Sequence, residues 1–255
     1  MSLLKICNLS MNYHSLKGET PALNNINFEV NAGEFISILG PSGCGKSTLL
    51  NIISGLLSPS SGSILYNDED IKNNLNKIGY MFQKDHLFEW ITVWDNILIG
   101  LKIKKQITNE ALDRVNDLLE MYGLSKFKEH YPNELSGGMR QRVALIRTLA
   151  LNPEILFLDE PFSALDYQSR LLVCDDVCKI IKKEKKTAIM VTHDISEAIS
   201  TSKRILVLSQ RPAQIKKEVL ISFSKNDLTP FERRKEPEFS GYFNDLWKEL
   251  DQCNE

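Results

Sequence analysis

The run Gly40-Pro41-Ser42-Gly43-Cys44-Gly45-Lys46-Ser47-Thr48 holds the residue types that bind phosphate. It fits the spacing G-x-x-x-x-G-K-[ST], with an apolar run before it and a helical pattern after it. Glycines let a backbone curl until several N–H groups converge on phosphate oxygens. A helix that starts at the end of the turn adds the positive end of its dipole. In such a cradle Lys46 reaches the β- and γ-phosphates of a nucleoside triphosphate, and Ser47 offers its hydroxyl to Mg²⁺.

Two further segments carry chemistry. In Ile155-Leu156-Phe157-Leu158-Asp159-Glu160, four apolar residues lead into two acids, which reads as a buried strand ending at a polar crevice. Asp159 is expected to hold Mg²⁺ through water. Glu160, one residue on, can aim at the γ-phosphate and is a candidate general base for the attacking water. Alone, such an acid pair could equally be a helix cap or a salt bridge; the phosphate-binding run makes the metal and base reading the stronger one. In Leu135-Ser136-Gly137-Gly138-Met139-Arg140-Gln141-Arg142, Ser136 and the two glycines open a helix and form a second anion site.

These groups need a scaffold that brings distant segments together. Short apolar runs predict buried strands at Phe35–Leu39, Lys77–Gln83, Ile155–Leu158, Thr187–Thr192 and Arg204–Leu208. Leu3–Leu9 and Ile26–Val30 read as a strand pair at one edge. Helical patterns fall between them, at Ser47–Leu57, Glu110–Tyr122 with Gly123 closing it, Gly138–Leu151 and Gln168–Lys183. Asp194 is placed to cap a further short helix. The alternation predicts an α/β fold with a mostly parallel sheet. Strand signals nearly vanish over 84–151, which reads as a helical subdomain inserted into the core. From Lys225 the chain is charged, and Phe239, Phe243, Leu246, Trp247 and Leu250 follow helical spacing, as in a terminal helix packed on the core.

Composition narrows the classes. The chain has 255 residues, 42% of them hydrophobic and 25% charged. That length buries roughly 70–75% of the unfolded surface without disulfide staples. Lys plus Arg is 31 against 33 Asp plus Glu, a net charge of −2, which disfavours a nucleic-acid binder. The longest nearly uncharged stretch is broken by Gly, Ser and Pro and is no membrane span. The start is too short and polar for a secretory signal. Cys7, Cys44, Cys174, Cys178 and Cys253 are odd in number and scattered, as expected of reduced thiols.

The segment LSGGMRQR resembles the signature of the ATP-binding-cassette (ABC) ATPases. The resemblance covers essentially the whole chain in the family's order: the phosphate loop, Gln83 after a strand, the signature, LDEP, Ser163-Ala164-Leu165-Asp166, and His193. It implies a P-loop NTPase core, a mostly parallel sheet flanked by helices, with an edge antiparallel β part and an inserted α-helical subdomain. The implied divisions are 1–83 and 152–224 for the nucleotide-binding core, 84–151 for the signature subdomain and 225–255 for the tail. By the same resemblance Tyr13 stacks on adenine, the alternative being an edge-strand core tyrosine. Gln83 senses Mg²⁺ and the nucleophilic water, and His193 contacts the γ-phosphate. Asp166 lies on a loop that crosses a dimer interface, and Ser136, Gly137 and Gly138 close over ATP bound to the other subunit. One cassette per chain then implies a homodimer or a pair with a related cassette.

DHLFEWITVWDNILIGL and DEPFSALDYQSR look like the nitrate/sulfonate/taurine-type importer ATPases of bacteria, a group that also serves pyrimidine and thiamin-precursor uptake. Met139 and Arg140 stand where many cassettes have two glutamines. The implied partners are an integral membrane permease and, indirectly, an extracytoplasmic solute-binding protein, with the chain at the cytoplasmic face of the membrane. Phe88 and Trp90 either face the permease or pack inside the helical subdomain. Alternatives are a soluble ABC-type ATPase acting on ribosomes or nucleic acid, and an exporter ATPase. The chain has neither the second cassette nor the long coiled-coil insertion usual in the former.

Overall fold

The computed structural model describes residues 2–16, 18–163 and 165–251; Ala164 and Cys253 lie outside the described residues. Two long strands, β1 (Ser2–Ser15) and β2 (Gly18–Asn31), pair antiparallel over most of their length. β3 (Phe35–Leu39) follows and leads through a tight loop into α1 (Lys46–Ile53). β4 (Ser61–Tyr66) and the short β5 (Glu69–Asp70) return to the first pair, giving an antiparallel sheet of order β2-β1-β4-β5. After β6 (Ile78–Met81) come the helices α2 (Val93–Ile103), α3 (Asn109–Met121) and α4 (Gly137–Ala150). No strand lies among residues 82–154. The chain then alternates through β7 (Ile155–Asp159), α5 (Tyr167–Lys183), β8 (Thr187–Thr192), α6 (Ile195–Thr201) and β9 (Arg204–Leu208). It ends with β10 (Ile215–Leu220), α7 (Pro230–Arg233) and α8 (Pro237–Asp251).

The second sheet runs β10-β9-β3-β8-β7-β6 and is parallel except where β10 pairs with β9. Its central strands are apolar on both faces because both are covered, as parallel sheets require. Strand periodicity sorts their side chains into two cores. Leu156, Leu158, Ala188 and Met190 join a cluster with α2, α3, α4 and α5. Ile155, Phe157, Ile189 and Val191 face the other way, into a cluster with α1 and the antiparallel sheet. The helical stretch thus shares a core with the sheet. α8 lays Phe239, Tyr242, Phe243, Leu246 and Leu250 against a third cluster formed by α6 and β9.

The α/β class, the parallel sheet and the antiparallel part match the expectation, but several bounds differ. β1 and β2 extend well beyond Leu3–Leu9 and Ile26–Val30. The added length is mostly polar and exposed; cross-strand pairing holds it, with Met11, Ala22 and Leu23 as its only buried apolar side chains among those described. β4 and β10 carry too few buried side chains to announce themselves. α1 stops short of Leu57, just before Gly55, whose φ of 78° takes the chain out of the helix. Asp194 does cap α6, its Oδ1 accepting from the Glu197 amide at 3.1 Å.

Four of the parallel strands end on one side of the sheet, at Leu39, Met81, Asp159 and Thr192. Each is followed within two residues by a residue of interest, and the carboxyl ends of such strands are where open α/β sheets present their ligand sites.

Candidate functional site

The loop between β3 and α1 is shaped by two glycines with positive φ, Gly43 at 76° and Gly45 at 120°. At Gly45 a side chain would be strained and would also meet Leu23 at 3.0 Å and the Ala22 carbonyl at 3.3 Å, so only glycine fits. Lys46 is 6% exposed, and its ammonium donates to the carbonyls of Gly40 at 2.8 Å and Pro41 at 2.9 Å. The loop therefore holds its lysine against its own backbone at the start of α1. The Cys44 thiol is buried beside it.

Asp159, the last residue of β7, meets the first turn of α1. The Ser47 hydroxyl donates to Asp159 Oδ1 at 3.0 Å. The Tyr80 hydroxyl lies 3.2 Å from Asp159 Oδ2 and 2.8 Å from Asn51 Oδ1. Burial pushes the Asp159 carboxyl above its ordinary value, against the pull of the Ser47 and Tyr80 hydrogen bonds. A hydroxyl and a carboxylate oxygen converging this closely suit a hard divalent cation that takes its remaining ligands from phosphate and water.

Glu160 turns the chain. Its φ is 44°, and its amide donates to the Val191 carbonyl at 3.0 Å, bridging the ends of β7 and β8. A left-handed backbone at a non-glycine residue is costly and persists only where its surroundings hold it. Here it sends two consecutive carboxylates to different tasks. Glu160 Oε2 accepts from Gln83 Nε2 at 3.0 Å, and Glu160 Oε1 lies 3.0 Å from His193 Nδ1. A carboxylate only accepts, so this contact places a proton on Nδ1 and leaves Nε2 of a neutral ring as an acceptor. The half-exposed His193 ring can meet a ligand from its other edge.

Tyr13 is 39% exposed, not a core residue, and its hydroxyl lies 3.1 Å from Thr48 Oγ1 at the end of the loop. Ser136, Gly137 and Gly138 form a separate place at the start of α4. The Ser136 hydroxyl caps that helix by accepting from the Met139 amide at 3.4 Å, and Gly138 faces Ser169 and Val173 of α5. Asp166 caps α5, accepting from the amides of Gln168 at 3.1 Å and Ser169 at 3.0 Å. The structure thus unites the phosphate-type loop, Asp159, Glu160, Gln83 and His193, and leaves the Ser136 segment apart from them.

Sequence reading missed several neighbours. Tyr80 and Asn51 brace Asp159; Tyr80 sits in an apolar run that reads as plain core. Ser163 Oγ is 3.4 Å from Gln83 Nε2 and donates to the Glu160 carbonyl at 3.0 Å. A cavity of about 910 Å³ is bounded by loop residues 40–44, His193, Arg211, and Phe243 and Trp247 of α8. Only the three-dimensional return of the tail puts α8 there. Arg140 holds Asp85 at 2.8 and 3.1 Å and Glu89 at 2.7 Å, and Arg147 donates to the Asp85 and His86 carbonyls. The segment after Gln83 is therefore bolted to α4. The Cys174 and Cys178 thiols lie together near the core, and no cluster of three or more His, Cys, Asp or Glu suited to a metal ion occurs among the described residues.

The sequence profile of the family described as ABC transporter matches residues 23–163. YtlC of Bacillus subtilis, an uncharacterized ABC transporter ATP-binding protein, is 46% identical over 98% of this chain and 96% of its own length. The nitrate import ATP-binding protein NrtD of Synechocystis sp. is 39% identical over 95% of this chain and 93% of its own. Among solved structures, a dimeric ATP-binding cassette in a post-hydrolysis state with ADP and Pi matches 86% of this chain and 99% of its own length. Its TM-score is 0.75 and its sequence identity 33%.

Proposed function

This chain belongs to the ABC transporter family of ATP-binding subunits and is an ATPase, and from that premise we propose that it drives uptake of a small solute through a membrane permease. In this reading two copies, or this chain and a related cassette, enclose two ATP molecules head to tail. The nitrate/sulfonate/taurine-type group is the favoured setting, with the cargo set by the permease and a solute-binding protein. Residues 1–83 and 152–224 form the nucleotide-binding core, 84–151 the signature subdomain and 225–255 a tail. No helix among the described residues is long and apolar enough to cross a membrane, so the chain meets the membrane through the permease, at its cytoplasmic face. Trp90, 74% exposed and in ring contact with Phe88 at 5.1 Å, offers an aromatic surface for that contact.

The observation that carries the reading is the Glu160 carboxylate held between Gln83 and His193. Glu160 accepts the proton of the attacking water. Gln83 orients that water with its amide. His193 reaches the γ-phosphate from its free ring edge, donating to it when Nε2 carries a proton as well as Nδ1, and Lys46 and the loop amides hold the phosphates in line. Ser47 and Asp159 would hold Mg²⁺, with Gln83 sensing it, and the cation would supply charge neutralisation on the phosphate oxygens. Catalysis of this kind is positioning and electrostatics, with little covalent work for the protein. Ser136, Gly137 and Gly138 act on the ATP of the opposite copy, which suits their place apart from the other groups, and Asp166 lies at the same interface.

Tyr13 is read as the adenine platform. Replacing Tyr13 by Ala is expected to weaken ATP binding by about 1–3 kcal/mol, the worth of a base–aromatic stack, and Tyr13→Phe to keep most of it. Titration with ATP and with inorganic triphosphate checks this, since the loss must appear only for the ligand that has a base. The transport reading is tested by tagging the chain in its native cell and purifying gently solubilised membranes. A multi-spanning permease with a solute-binding protein is the expected yield. Recovery only with ribosomes or nucleic acid would leave the ATPase chemistry standing and overturn transport.

A further inference from the structure

We infer that Arg170, in the first turn of α5, is a positioning residue that ties the turn carrying His193 to the loop carrying Asp166. Its guanidinium spans the two. Nη1 lies 3.3 Å from Asp194 Oδ2 and 3.6 Å from Glu197 Oε1, while Nη2 donates to the Leu165 carbonyl at 3.1 Å. Asp194 adjoins His193, and Leu165 adjoins Asp166.

These contacts close a circuit around the catalytic carboxylate. From Glu160 Oε1 the path crosses 3.0 Å to His193, passes one residue to Asp194, and crosses the ion pair to Arg170. From Arg170 it reaches the Leu165 carbonyl. The Leu165 amide donates to the Phe162 carbonyl at 3.2 Å, and the Ser163 hydroxyl returns to the Glu160 carbonyl at 3.0 Å. Each loop is already fixed to its own helix, Asp166 capping α5 and Asp194 capping α6. Those caps do not fix one loop relative to the other; Arg170 spans that gap. Its anchor is firm on one side: Glu197 is 3% exposed and accepts from the Thr192 hydroxyl at 2.8 Å, and that hydroxyl accepts from the Asp194 amide at 3.0 Å. A planar fork suits this work, because it can meet carboxylates and a carbonyl together. Arg170 touches no substrate; it sets where His193 stands relative to Glu160 and to the Asp166 loop.

This inference rests on the reading that Glu160 and His193 act on the γ-phosphate. The test is steady-state ATP hydrolysis by the full chain, with rates normalised to bound nucleotide. Arg170→Met is expected to lower kcat by about tenfold and leave KM for ATP within about twofold, as when orientation is lost and binding is not. Arg170→Lys can meet the carboxylates but cannot also reach Leu165 in the same geometry, so it should fall about threefold short of the parent. If Arg170→Met does not fold, the lysine variant decides. A kcat for Arg170→Lys equal to the parent, or a loss in Arg170→Met that vanishes on normalising to bound nucleotide, would overturn the inference. The same runs include Glu160→Gln. If that variant keeps its turnover, the catalytic reading fails and takes this inference with it; if it is dead while both Arg170 variants turn over normally, this inference alone fails.

Discussion

Glu160→Gln is expected to lower ATP turnover by roughly 10²–10⁴-fold while sparing ATP binding, the range for removing a general base. The size follows from what the amide cannot do: it has no basic oxygen to take the proton of the attacking water. Binding survives because Lys46, Ser47 and the loop amides are untouched, and Glu160 bonds to none of them. The geometry adds a second readout. Glu160 accepts from Gln83 on one oxygen and meets His193 Nδ1 with the other. The amide must keep its oxygen toward the Gln83 donor, so its NH₂ group turns to His193. A neutral His193 then accepts at Nδ1 and moves its proton to Nε2. Nitrogen-edited NMR of the His193 ring should report that tautomer change alongside the loss of turnover. Near-normal hydrolysis would remove Glu160 from the base role, whatever the ring does.

The groups legible in the sequence are those whose signal is local. Loop 40–48 announces itself because glycine spacing, a strand before and a helix after all fall within one short window. Asp159, Glu160 and His193 are legible for a related reason: each stands at or just beyond the end of an apolar run that can only be a buried strand. Gln83 follows the same logic, although its strand ends at Met81 and the glutamine reaches Glu160 from the loop beyond.

What was illegible depends on strand order. Tyr80 comes beside Asp159 because β6 pairs with β7, in a register that sets Tyr80 opposite Phe157. Nothing in the tyrosine's own neighbourhood encodes that pairing. The tail shows the same limit. Helical spacing places Phe243 and Leu246 on an apolar face, but it does not put Phe243 at the edge of a loop some 200 residues earlier in the chain. The long β1–β2 pair fails in the opposite sense. Its polar half has strand geometry with little strand patterning: Met11, Ala22 and Leu23 are buried, but they do not alternate over the stretch, and the hairpin's hydrogen bonds hold the rest. Ser136 to Gly138 form a third case: their type and spacing are plain, yet within one chain the hydroxyl only caps α4.

Lys46→Ala should act on the other half of the cycle. The ammonium makes charge-assisted contacts with phosphate oxygens in the proposed complex, and hydrogen bonds to charged groups are worth about 1.5–3 kcal/mol. ATP affinity is therefore expected to fall by about 10- to 150-fold. The structure argues against a compensating gain from loop rearrangement. Lys46 now ties the Gly40 and Pro41 carbonyls together from a nearly buried position, so alanine also leaves those acceptors without their donor and loosens the loop it should preorganise. Arginine should not rescue, because a guanidinium is too large for a site that holds an ammonium against two carbonyls at 2.8 and 2.9 Å. Direct titration with ATP under non-hydrolysing conditions separates this variant from Glu160→Gln: the first loses affinity, the second loses turnover at saturating ATP. Unchanged affinity in Lys46→Ala would mean that the loop amides and the start of α1 hold the phosphates without the lysine, and the cradle would have to be redrawn around the backbone alone.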